Sequence, residues 1–137
     1  MPGVGSRAFS KADQVGRSRH ERKQEARAQE AREMKDCYAR VDERDERRCR
    51  VCKRHGNPRS VTLLDRIHRH HLIYRSRGGE HIPSGVASVC ARCHDDIHVQ
   101  GTLRITGDAD LRDDLGRLCG IAVQRLTEAG WQVEKTC

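Results

Sequence analysis

The stretch His70-His71-Leu72-Ile73-Tyr74-Arg75-Ser76-Arg77-Gly78-Gly79, followed by Val89-Cys90-Ala91-Arg92-Cys93-His94-Asp95-Asp96-Ile97-His98, decides the fold. The second segment opens on a C-x2-C pair and continues as a short helix, Ala91 to Val99, stopped by Gly101. Spacing of i, i+4 sets His94 and His98 on one helix face, where two imidazoles can share a metal ion. His70 and His71 belong to the run Ser60 to Tyr74, whose Val61, Leu63, Leu64, Ile67, Leu72 and Ile73 read as strand or hairpin. Adjacent strand residues point to opposite faces. If His70 turns towards the helix as a third ligand, His71 cannot be an equivalent one. A bend in the strand would bring it near a substrate bound at the metal, as a base rather than a ligand.

A second C-x2-C pair, Cys49 and Cys52, lies upstream, with 37 residues between Cys52 and Cys90. Such turns present two sulfurs at the angle that tetrahedral zinc prefers, and two of them close a loop and anchor its ends. No segment reads as a signal peptide or a membrane span, so the pairs read as a structural zinc site rather than disulfides. The compartment implied is reducing, most simply a cytoplasm. Cys37, Cys119 and Cys137 lack this spacing and read as free thiols.

Zinc also answers a shortage of core material. The only aromatic residues besides histidine are Phe9, Tyr38, Tyr74 and Trp131. A chain of 137 residues built so sparingly needs a staple. The net charge is +7, unevenly spread: residues 1–100 hold 22 Lys/Arg against 14 Asp/Glu, and residues 101–137 hold 5 against 6. Between Arg47 and Arg77 ten basic residues face one acid, Asp65. A block that basic, beside the histidines, is the footprint of a polyanion-binding face.

Outward from this centre, residues 1–16 read as disordered and 17–46 as a charged helical extension. The helix carries a narrow apolar stripe, Ala31, Met34, Tyr38 and Val41, with a break expected near Asp36 or Asp42. Residues 47–106 hold the metal motifs, with a loop through Arg77-Gly78-Gly79 to Gly85 and a strand over Thr102–Ile105. For 107–137 two readings stand, a helix through Leu118–Ala129 or a hairpin turned at Glu128–Gly130. Gly116 and Gly120 favour the hairpin.

The quoted motifs, with Arg48-Cys49-Arg50-Val51-Cys52, resemble the HNH endonucleases over about residues 47–106. The resemblance implies an α+β chain: a small ββα-metal fold with a zinc knuckle pair, preceded by the charged N-terminal helix. It implies His71 as general base and His70, His94 and His98 as ligands of one catalytic divalent ion. Cys49, Cys52, Cys90 and Cys93 would hold structural Zn²⁺. Imidazoles suit Zn²⁺, Ni²⁺ or Mn²⁺ better than Mg²⁺, though availability often decides which is loaded. The partner implied is DNA, gripped by Arg75, Arg77 and Arg92, with 5′-phosphate and 3′-hydroxyl products. The setting implied is a bacterial or phage-infected host, with phages and mobile elements as usual carriers. The pattern departs from the family at Gly85, where a loop-bracing Asn is expected. Ser84 and Ser88 are the nearby polar side chains.

A non-catalytic zinc-ribbon module that binds nucleic acid would explain the basic block and the cysteines, but not the four histidines. An adaptor working through the charged helix would leave the whole metal constellation unexplained.

Overall fold

The computed structural model describes residue 16, residues 18–56 and residues 66–135. It divides into two compact units, Met1–Glu33 and Met34–Cys137. Apart from Gly16, the segment expected to be disordered lies outside the described residues, as do Val61, Leu63 and Leu64 of the expected hairpin.

Helix α1 (Arg19–Asp45) starts at a capping box. The Ser18 hydroxyl accepts from Glu21 N at 3.2 Å, and the Glu21 carboxylate accepts from Ser18 N at 2.9 Å. Every described residue of the first unit is exposed. In the second unit the helix buries Cys37, Val41 and Asp45, spaced i, i+4, i+8 on one face. This corrects the expected stripe, since Ala31 and Met34 are exposed. No break occurs at Asp36 or Asp42. The segment has no Gly or Pro, and Asp42 pairs outward with Arg69 instead of capping a new helix.

Strands β1 (Ile67–His71) and β2 (Val86–Cys90) pair antiparallel, with His70 opposite Ala87 and His71 opposite Val86. Helix α2 (Ala91–His98) follows directly, giving the expected ββα order. Cys90 is its N-cap, and its sulfur accepts from Cys93 N at 3.5 Å. Between the strands, the chain after His71 leaves the sheet for a 3₁₀ turn at Arg75–Arg77. Gly78 ends that turn at φ 89°, and a Cβ on Gly79 would lie 2.0 Å from the Ile73 carbonyl oxygen. The Gly-Gly pair is therefore a backbone requirement. A second 3₁₀ turn, Pro83–Gly85, leads into β2.

Strand β2 is buried along its whole length because both of its faces are covered. Val86 packs with Cys37, Val41 and Tyr38. Ala87 and Val89 join the main core with Cys49, Val51, Ile97, Leu103, Ile121 and Val123. The last two belong to β4 (Ile121–Thr127), which sits between β3 (Leu103–Gly107) and β5 (Gly130–Lys135) in an antiparallel sheet. The tail is thus the hairpin, turning before Gly130 at φ 95°. The division expected at 106/107 falls inside β3, and Arg125 ties the hairpin to α2 through Asp96. Among the described residues no helix is long and apolar enough to cross a membrane.

One buried carboxylate joins these layers. Asp45, with no side-chain exposure, accepts from Arg44 Nε (2.7 Å), Arg50 Nη1 (2.9 Å) and Ser88 N (2.9 Å). Arg44 also donates to the Pro83 and Val86 carbonyls, and Arg50 to that of Ala109. These bonds hold the Asp45 carboxyl below its usual range despite burial. Removing one member of such a group leaves uncompensated buried charge. We therefore expect Asp45→Ala to cost about 3–5 kcal/mol, measured by urea unfolding. A loss below about 1 kcal/mol would refute this account of the core.

Candidate metal centre and the histidine beside it

The four cysteine sulfurs converge, each within 4.8 Å of the others, and Cys49, Cys90 and Cys93 are buried. The first knuckle is a tight turn closed by Lys53 N to Cys49 O and Cys49 N to Arg54 O, both 2.9 Å, with Lys53 at φ 64°. Its backbone aims Val51 N and Cys52 N at the Cys49 sulfur, each at 3.4 Å. The Cys93 thiol held against Cys49, together with these amides, pulls the Cys49 pKa down, while the same contact pushes Cys93 up. A zinc tetrahedron with bonds of about 2.3 Å has edges of about 3.8 Å. The Cys52–Cys90 separation is 3.6 Å. Donor type, spacing and N–H···S bonds all fit a structural zinc ion. Cys37 is buried elsewhere, on α1.

The histidines divide as strand alternation requires. His68 and His70 share the β1 face that meets α2, and Arg69 and His71 share the face that meets α1. On the α2 side, ring nitrogens of His70, His94 and His98 all lie within 4.8 Å of one another. His70 Nδ1 and His98 Nε2 are 3.2 Å apart. Imidazole ligands at about 2.1 Å sit about 3.0–3.4 Å apart around one ion, so this triad also fits a divalent metal. Burial, then repulsion from His98 and His94, brings His70 down to about 4. It is thus kept neutral, with a lone pair to donate.

His68 was not singled out from the sequence, yet its ring stacks on His94 at 4.4 Å and 13°. Its signal was available in the i, i+2 spacing from His70. His81 was missed too. Its Nδ1 lies 3.3 Å from His71 Nε2, and no spacing rule links it to the strand.

His71 lines the same cavity as the triad, a space of about 340 Å³ bordered also by Arg69, Tyr74 and Arg75. Burial, His81 and Arg75 lower its pKa, favouring the neutral imidazole. Arg75 is anchored by a bond to the Gly79 carbonyl. The other arginines separate: Arg77 lines a neighbouring cleft with Tyr74 and Arg104, while Arg92 is exposed and borders neither space. At the position of the absent Asn, Gly85 supplies its main chain, accepting from Leu72 N at 2.8 Å. Ser88 Oγ has no hydrogen-bond partner among the described residues, so it does not brace this loop. Ser84 likewise contributes through its main chain, its carbonyl accepting from Ala109 N at 2.8 Å.

Residues 49–100 match the family model described as HNH endonuclease. No curated protein and no solved structure matches the chain.

If the cysteine cluster is a structural site, metal analysis should find about one tightly held zinc per chain. Cys90→Ser should lose both the zinc and the cooperative unfolding transition, because metal affinity here is folding energy. Cys37→Ser, outside the cluster, should keep its zinc. A zinc-free wild type that unfolds cooperatively would contradict the assignment.

Proposed function

Given the HNH endonuclease domain at residues 49–100, we propose that this protein is a metal-dependent DNA endonuclease that hydrolyses phosphodiester bonds with His71 as general base. The observation that carries the reading is the division of β1. His70 joins His94 and His98 on one face, while His71, on the other, still reaches the same cavity. A module that only binds nucleic acid has no need of that division.

In this mechanism His71, neutral and partly buried, takes a proton from the attacking water. Arg75, at the cavity edge, grips the substrate's phosphate, and Arg77 contacts the backbone from the adjacent cleft. Arg92, set apart from both spaces, adds affinity further along the DNA. His70, His94 and His98 would hold a divalent ion, whose charge stabilises the phosphate and the departing 3′ oxygen when bound. Three neutral imidazoles leave that charge undiminished. The products are 5′-phosphate and 3′-hydroxyl ends, and reduced thiols for the zinc fit a cytoplasmic setting.

The roles separate by experiment. With supercoiled plasmid, His71→Ala should bind DNA and the catalytic ion normally yet cleave about 10²–10⁴-fold more slowly. His94→Ala should instead lose affinity for the ion and regain part of its rate in excess metal. The assignment fails if His71→Ala cleaves normally, or if it loses the ion while His94→Ala keeps it.

DNA affinity should also fall steeply as salt rises, since phosphate neutralisation releases counterions. Binding that stays level between about 50 and 200 mM salt would remove the basic face from the account.

A further inference from the structure

We propose that His81 is a positioning residue for the base. It accepts a hydrogen bond from His71 Nε2, and so fixes the ring and leaves Nδ1 as the proton-accepting nitrogen. This rests on the reading of His71 as the base.

Three observations support it. His71 Nε2 and His81 Nδ1 are 3.3 Å apart, with ring centroids at 5.2 Å and planes 68° apart. Tyr38 of α1 forms a wall behind both rings, tilted 6.3 Å from His71 and edge-on 6.4 Å from His81. Tyr38 is itself covered by the Arg69 guanidinium at 5.4 Å. The backbone carrying His81 is also tied to the strand it serves. Gly85 O accepts from Leu72 N, one residue past His71, at 2.8 Å. Arg44 of α1 donates to Pro83 O at 2.6 Å. The two imidazoles are therefore held at a distance set by one main-chain bond and one side-chain bond to the main chain.

The polarity of the bond follows from the chemistry. A neutral imidazole has one N–H and one lone pair. If His81 donated, the His71 lone pair on Nε2 would be occupied and Nδ1 would carry the proton, leaving nothing to accept one from water. If His71 donates, Nδ1 keeps its lone pair. Only the second arrangement gives a base, and it places the His81 proton on Nε2. A hydrogen-bond partner on one ring nitrogen commonly fixes a histidine's tautomer in this way.

The test combines a spectroscopic readout with kinetics on the full-length zinc-loaded protein. In ¹⁵N-histidine-labelled wild type, two-bond correlations should show His71 as the Nε2–H tautomer. His81→Leu should scramble that preference and lower kcat about 10–100-fold, with KM for plasmid and affinity for Mn²⁺ unchanged. His81→Asn should recover most of the rate, because its amide oxygen can stand where Nδ1 stands and accept the same bond. A merely structural His81 would not distinguish Leu from Asn at equal zinc content and melting temperature. The proposal is overturned if His71 carries its proton on Nδ1 in the wild type. It is also overturned if His81→Leu cleaves at the wild-type rate, or if His81→Asn is as slow as His81→Leu. A wild type that cleaves no DNA with any divalent metal would instead remove the nuclease reading, while the ring-nitrogen spectrum would still decide the hydrogen bond.

Discussion

The Asp45 carboxylate, buried at the end of α1, is where the separate pieces of this small protein meet. Arg50 arrives from the first cysteine knuckle, Ser88 N from β2, and Arg44 from the helix itself. Through Arg44 and Arg50 the same group reaches Pro83, Val86 and Ala109. An ion pair in such a place contributes less through net attraction than through the cost of every alternative arrangement. Any packing that misplaces one partner strands a charge away from water. A chain with so few aromatic residues cannot rely on jigsaw packing to select a single structure, and a polar lock of this kind does so by penalty. The cysteine cluster constrains the same region from the other side, since Arg50 lies between Cys49 and Cys52.

What the lock holds still is a two-stranded ribbon only five residues long on each side. Its alternation separates two sets of side chains. The face towards α2 is a histidine surface, with His68 stacked on His94 and His70 reaching His98. The face towards α1 has Arg69 paired to Asp42 and His71 set against His81 and Tyr38. Neither face could be shaped alone. α2 begins at a cysteine of the knuckle, so the position of the triad depends on the sulfur cluster. α1 carries both Asp42 and Asp45, so the wall behind His71 depends on the carboxylate lock.

Much of this was legible in the residues. The two C-x2-C pairs, the i, i+4 histidines and the adjacent His70 and His71 are local patterns, and local geometry alone determines which side chains point together. The ββα order followed from the resemblance to the HNH endonucleases, and the C-terminal hairpin from glycines that interrupt a helix. The buried stripe of α1 was misread because it runs from Cys37 through Val41 to a charged residue, Asp45, while the apolar Ala31 and Met34 stay exposed. Asp45 is buried only because two arginines and an amide come to meet it, and the amide, Ser88 N, is distant in sequence. His81 was invisible for a related reason. Its distance to His71 is set by the Leu72–Gly85 bond and by the turn at Pro83–Gly85, neither of which leaves a periodic mark.

Spacing along a few residues of regular backbone is enough to show which side chains carry metal-binding atoms and that His70 and His71 stand on opposite faces of a strand. Tertiary structure alone decided which buried charge was satisfied, and by whom. It also decided which arginines face the cavity and which ring meets His71. Those outcomes rest on contacts between segments far apart in the chain, and such contacts exist only once the whole core has closed around them.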